Sequence, residues 1–242
     1  MKVLVIGENC NDVFVYCKCD RISPEAPVPV LIPKNTAENK GMAENVKNNL
    51  ESLDIKVDFI TQTKKILKTR YVEDSLNHQI VRIDEENDID RVKKSKLDKI
   101  KWEKYSAVVI SDYDKGFLTK EDIQYILSKH KLTFVDTKKP IGKWCDKATF
   151  IKINEREYNY SENVNNLKNK LIVTLGKRGC MYKDKIYTID EIEIGDVSGA
   201  GDTFLAGFVF DYLVNRNVEY AIETAQACAQ EVIGEKGVTV IK

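Results

Sequence analysis

The stretch DVSGAGDTFLAGF, residues 196–208, carries the strongest local pattern in this 242-residue chain. Gly199, Ala200 and Gly201 precede an acid, Asp202, and the apolar residues Phe204, Leu205, Phe208 and Val209 follow at helical spacing. Small residues at a helix N-terminus leave backbone N–H groups accessible, which makes an anion site. Asp202 then stands in the first helical turn, beside that site. Two negative charges repel, so a carboxylate is out of place in passive anion binding. It makes sense if it removes a proton from a nucleophile that attacks phosphorus. The competing reading is an acid that stabilises the helix dipole after a glycine turn. The stretch is neither of the commoner Gly-rich motifs. A Walker loop needs G-x-x-x-x-G-K-[ST], which the chain lacks, and Phe204 stands where a dinucleotide fingerprint needs its third glycine.

Outward from this helix the chain alternates. Apolar, β-branched runs recur at 3–6, 57–60, 107–110, 132–135, 150–153 and 171–175, as strands buried on both faces do. Amphipathic stretches lie between many of them, at 42–53, 94–101, 119–129, 140–147 and 155–169, the last two weak. The pattern predicts an α/β fold with a mainly parallel sheet, ending in helices over 199–214 and the Ala-rich 218–233. Two segments break the rhythm. Residues 12–33 hold two extended stretches, DVFVYCKCDRI and APVPVLI, and residues 66–84 read as a hairpin turning near 75–77. Both alternate apolar and polar residues. They predict a small β-sheet, with strands from about 12–34 and 66–84, projecting from one domain that spans 1–242.

Equal numbers of basic and acidic side chains, 38 of each, argue against nucleic-acid binding by bulk charge. The chain has no apolar run long enough for a transmembrane helix, and its start reads as a buried strand rather than a signal peptide. A cytoplasmic protein is expected. Six cysteines without a C-x-x-C pair, and only two histidines, disfavour a zinc site or a histidine triad. The cysteines read as packing residues.

DVSGAGDTF resembles the C-terminal signature of the ribokinase-like (PfkB) carbohydrate kinases. GMAENV (41–46) looks like their Gly-Gly-x-x-Asn segment, NEREY (154–158) their N-x-x-E motif, and TLGKRGC (174–180) their T-x-G-x-x-G turn. These stand in the family's order over nearly the whole chain. RISPEAPVPV (21–30), HQIVRIDEE (78–86), SDYDKG (111–116) and DTKKP (136–140) resemble, more narrowly, the heptose-7-phosphate kinase domain of bifunctional ADP-heptose synthesis proteins. The chain departs from the pattern in three places. One βα unit is expected to be missing between Thr61 and Ile66. The Gly-Gly segment reads Gly41-Met42, with Glu44 where a small residue is usual. Glu8 replaces the Asp usual after Gly7. No H-x-G-H motif of a nucleotidyltransferase occurs.

The resemblance implies a three-layer α/β/α core with a β lid, and an ATP- and Mg²⁺-dependent kinase. Asp202 would be the general base, and the N–H groups of Gly199, Ala200 and Gly201 the anion hole. Asn154 and Glu157 would hold Mg²⁺ through water, or simply cap a helix. Asp12, Gly41 and Asn45 would border the sugar. Arg21, Arg82, Lys115 and Lys138 are candidates for phosphate contacts, and Asp112 for orienting that site. Thr174, Gly176, Gly179 and Gly237 would flank the nucleotide. The backbone around Asp196 and Val197 resembles the monovalent-cation loop of some relatives. A heptose phosphate is the expected acceptor and a homodimer through the lid the expected assembly. The rivals are another sugar, sugar phosphate or nucleoside as acceptor, and a non-catalytic scaffold on the same fold.

Overall fold

The computed structural model describes residues 1–85, 88–162, 164–190, 198–233 and 239–241. In chain order the elements are β1 (Lys2–Gly7), β2 (Asn9–Lys18), β3 (Ile32–Met42), α1 (Ala43–Ser52), β4 (Lys56–Ile60), β5 (Leu67–Glu73), β6 (His78–Glu85), α2 (Lys94–Asp98), β7 (Ala107–Asp112), α3 (Lys120–Leu127), β8 (Thr133–Thr137), β9 (Phe150–Asn154), α4 (Glu155–Asn159), β10 (Leu171–Thr174), β11 (Cys180–Tyr182), β12 (Lys185–Tyr187), α5 (Ala200–Asn215) and α6 (Val218–Ile233). Eight strands form one sheet in the order β12-β11-β10-β9-β8-β7-β1-β4. Its pairings are parallel except at the β11 and β12 end.

All six apolar runs fall on strands of this sheet, and its two faces show why. Val3, Val5, Ala107 and Val109 pack with α1, α5 and α6. Leu4, Ile6, Val108 and Ile110 pack with α3 on the opposite side. Both faces are dry, so the strands need apolar residues at every position rather than every second one. Helix α5 is itself buried nearly all round. Phe150 of β9 meets its Phe208 and Tyr212 edge-on, at 5.2 and 4.7 Å between ring centroids, which locks the helix over the sheet. Helix α6 lies close against it. A Cβ on Gly207 would fall 2.9 Å from Cys228 Sγ and 3.1 Å from Ala225 Cα, so the small residues of both helices set their spacing.

The second sheet has the order β3-β2-β5-β6. The 66–84 hairpin forms as expected, but the other half differs. Residues 26–31 are not a strand; they belong to a loop held by a bridge between Ile22 and Pro29. The partner of β2 is β3, whose register sets Cys10 opposite Gly41. Most of β3 is exposed, so it shows no apolar alternation, while the prolines and valines of the loop imitate one. The weak helix at 140–147 is only a 3₁₀ turn over Lys143–Cys145. The stretch at 155–169 divides into α4 and a 3₁₀ turn over Val164–Leu167. Between β4 and β5, residues 61–66 hold no helix or strand. β4 is therefore an edge of the large sheet, and Val57, Asp58, Phe59 and Ile60 are only half-buried. Among the described residues no helix is long and apolar enough to cross a membrane.

Candidate active site

Parallel strands bring their carboxyl ends to one edge, and a crevice forms there. Glu8 follows β1, Asp112 ends β7, Lys138 follows β8 and Asn154 ends β9. The N-terminus of α5 faces the same edge. Gly199 takes φ 86° at its cap, a turn that a side chain would strain. First-turn N–H groups have no acceptor inside the helix, so those of Ala200 and Gly201 are available to a ligand. Asp202 is buried. Tyr113 Oη donates to its Oδ1 at 2.5 Å, and Asn45 Nδ2 to its Oδ2 at 3.2 Å. Burial pushes the Asp202 carboxyl up to about 6. The Asp136 charge adds to this, while Tyr113, Lys152 and Asn45 oppose it.

Asp136 and Lys152 are cross-strand partners on β8 and β9. Lys152 Nζ reaches Asp136 Oδ2 at 2.8 Å, with both side chains almost fully buried. Asp136 Oδ1 has no hydrogen-bond partner among the described residues. A Cβ on Gly201 would lie 3.0 Å from Lys152 Nζ, so this ammonium sits directly at the α5 N-terminus. A cation is repelled by the positive end of a helix dipole. Two positive sources converging on one point suit an anion between them.

Asp12, Gly41 and Asn45 come together on the lid side of Asp202. A Cβ on Gly41 would lie 2.2 Å from Asp12 Oδ2, so any side chain at 41 would displace that carboxylate. Asp12 also pairs with Arg70 of β5. Met42, where the resemblance places a second glycine, keeps a glycine-like backbone with φ 58° and ψ −138°. Its side chain is buried with Cys10 and Ile66, against Tyr113. Glu44 turns to Asn9, whose Nδ2 donates to it at 2.8 Å.

The expected phosphate contacts divide. Lys138 donates to Glu157 Oε1 at 2.5 Å and lies 5.2 Å from the Tyr113 ring centre, within the crevice. Arg21 remains exposed on the loop between β2 and β3, and Arg82 is exposed on β6, paired with Asp84. Lys115 binds Glu8 through its backbone N–H. Asp112 is committed elsewhere: Lys139 and Thr137 donate to its oxygens. It braces the end of β8 and with it Lys138. Burial raises its pKa, and the Lys139 and Thr137 bonds counter that.

On the other side of the α5 N-terminus lies a cavity of about 500 Å³. Thr174, Gly176 and Gly179 line it beside Ala200, Gly201 and Phe204, with α6 along one wall. Gly179 has φ 87°, and a Cβ there would lie 1.9 Å from the Tyr187 carbonyl oxygen. Asn154 and Glu157 form a full capping box on α4. Asn154 Nδ2 also donates to Glu157 Oε1 at 2.8 Å. Gly237, Asp196 and Val197 lie outside the described residues.

The buried Asp202 carboxylate thus stands at a helix N-terminus between the polar side chains of Asp12 and Asn45 and a cavity of about 500 Å³. The family model for pfkB family carbohydrate kinases matches residues 39–241. The chain belongs to the pfkB family of carbohydrate kinases. The bifunctional protein HldE of Helicobacter pylori strain J99 is 32% identical, over 98% of this chain and 63% of its own length. This chain thus spans under two thirds of that relative. Their alignment runs over 296 positions, more than the 242 residues here, so the relative carries segments that this chain lacks. The fold is ribokinase-like. The Methanocaldococcus jannaschii nucleoside kinase superposes with a TM-score of 0.65 at 17% identity, over 98% of this chain and 93% of that one. Ribokinase from Thermotoga maritima gives 0.66 at 15%, over 98% and 94%.

Sequence reasoning passes over several residues of this pfkB-family site. Tyr113 stands inside SDYDKG without a role. Lys152 is a lone cation in the buried run FIKIN, which is a signal in itself. Asp136 opens DTKKP without a role of its own, and Arg70 has no local mark. Their importance comes from partners distant in the chain.

Proposed function

We propose that this kinase transfers the γ-phosphoryl group of ATP to the anomeric hydroxyl of a heptose phosphate, D-glycero-D-manno-heptose 7-phosphate, and that residues 1–242 act as one kinase domain. The observation that carries this is Asp202: a buried carboxylate, raised to about 6, at the N–H-bearing end of α5 between pocket and cavity. Such a group is ionised at neutral pH yet basic enough to accept a proton. In this reading the acceptor's hydroxyl proton passes to Asp202. A bond forms from that oxygen to the γ-phosphorus, and the bond from phosphorus to the bridging oxygen of ADP breaks. The N–H groups of Gly199, Ala200 and Gly201, with the Lys152 ammonium beside them, carry the charge of the transferring group.

Asp12, Gly41 and Asn45 border the sugar, and Lys138 is placed for a phosphate. ATP fits the cavity lined by Thr174, Gly176 and Gly179. Among the described residues no group of three ligating side chains could hold a metal directly, and the oxygens of Glu157 already accept from Lys138 and Asn154. That donor set suits a hydrated ion rather than direct ligation. Asn154 and Glu157 would hold Mg²⁺ through its water shell, and the ion would supply charge neutralisation for the ATP phosphates.

The heptose acceptor is supported by the resemblance of RISPEAPVPV and SDYDKG and by the similarity to HldE. Met42 favours a second reading, another sugar, sugar phosphate or nucleoside, because its buried side chain fills space beside Tyr113. The deciding experiment is phosphorus NMR of Mg²⁺-ATP with heptose 7-phosphate, with Asp202→Asn as control. A new anomeric phosphate, absent with the variant, supports the reading. ATP turnover with other acceptors alone replaces it with the second reading.

A further inference from the structure

Glu8 takes no part in the proposed transfer, yet it is wholly buried at the end of β1. Its carboxylate accepts the backbone N–H groups of Tyr113 at 2.8 Å, and of Lys115 and Phe117 at 3.2 Å each. Three N–H donors on one buried carboxylate fix the path of residues 113–117. That path is a strained one, with Asp114 at φ 56° and Gly116 at φ 99°. It carries the Tyr113 ring across the crevice, with Lys138 Nζ 5.2 Å and Lys68 Nζ 5.9 Å from its centre. At the far end Tyr113 Oη meets Asp202 Oδ1 at 2.5 Å. Asp202 is thus held by both oxygens, from the lid side by Asn45 and from the β7 side by Tyr113.

We propose that Tyr113, presented by Glu8, is a positioning residue whose O–H holds the Asp202 carboxylate in the orientation and ionised state from which it takes the acceptor's proton. This rests on Asp202 being the base. Tyr113 donates a hydrogen bond and gives up no proton. Burial, with the charges of Asp202 and Asp136 facing it, pushes its phenol well above the ordinary value, so it stays a donor. The other groups around Asp202 are Asp136 of β8, Lys138 after it, Lys152 of β9, Asn45 of α1 and Cys10 of β2. Of these, Asp136 disfavours the carboxylate, while Lys152 and Asn45 favour it. Removing the phenol leaves burial and Asp136 less opposed.

The first test needs no substrate. The full chain is labelled with carboxyl-¹³C aspartate, and the Asp202 resonance is titrated in wild type and Tyr113→Phe. The Asp202 midpoint is expected to rise by about one pH unit in the variant, as loss of one charge-assisted hydrogen bond implies. The acidic limb of kcat/KM should move by the same amount, with activity near pH 6 down about fivefold and recovered near pH 8, and the KM for ATP unchanged. Glu8→Gln, which keeps one acceptor oxygen, should move both in the same direction by less. Wild-type protein labelled with 3-fluorotyrosine, a stronger donor, should show a lower midpoint, and this arm does not depend on a variant folding. An Asp202 midpoint unmoved by both changes to Tyr113 overturns the proposal. If the wild type phosphorylates no acceptor, the proposed function fails, and the NMR midpoints still decide the coupling of Tyr113 to Asp202.

Discussion

Asp202 links stability to pH as well as to chemistry. Its folded-state pKa lies at about 6, above the ordinary 3.8. Between those values the folded state binds more protons than the unfolded one, so this group's contribution falls as pH rises through the window. Asp202→Asn removes the cost. The variant should be more stable than wild type by ~1–3 kcal/mol at pH 7.5, with the difference largely gone near pH 4. Thermal unfolding at the two pH values checks this. Its kinase activity should drop by roughly 10²–10⁴. Lys152 gives the second prediction. If it only neutralised Asp136, Lys152→Met would cost stability alone. At the end of α5 it should also lower kcat by about 10²-fold, measured at saturating ATP and acceptor. At this scale the sequence is legible where a residue's neighbours explain it, as with Gly199 and Asp202. It is silent on Tyr113, because its hydroxyl's partner is 89 positions away.

At the scale of elements, the capping boxes of α3 and α4 separate stability from function. Thr119 and Asp122 close α3, far along the chain from the glycine motif, and Asn154 and Glu157 close α4 in the crevice. Thr119→Ala should cost ~1 kcal/mol in denaturant unfolding and leave kcat/KM for ATP unchanged. Asn154→Ala should cost a similar amount and also lower kcat/KM for ATP, because the same amide orients Glu157. Equal effects of both variants on kinetics would contradict a role for α4 beyond its cap. Central strands and the longer helices are legible because each buries both faces or a stripe. β3 is not. A strand exposed along most of its length needs no apolar alternation, and only pairing with β2 makes it a strand.

At the scale of the whole molecule, the small sheet leaves apolar surface uncovered. Ile32 of β3 and Val81 and Ile83 of β6 lie exposed on the small sheet, which borders the crevice. The homodimer proposed from the lid would cover them. Sedimentation at micromolar concentration should then give twice 27.7 kDa, and Val81→Asp with Ile83→Asp should return the mass to that of one chain. A single-chain mass for the unaltered protein contradicts the dimer. β4 forms the open edge of the large sheet, next to the short 61–66 link.

The chain's own letters determined the layers, most of the order of strands and helices, and the glycine turn that caps α5, because each has a cause within a few residues: burial on two faces, or a turn that a side chain would strain. The tertiary structure alone decided that Asp136 faces Lys152, that Lys152 stands at Gly201, and that Glu8 carries Tyr113 to Asp202. Those meetings depend on the register of parallel strands, whose neighbours in space are separated in sequence by whole crossover connections. No local pattern records which charged side chain such a crossover will set beside another.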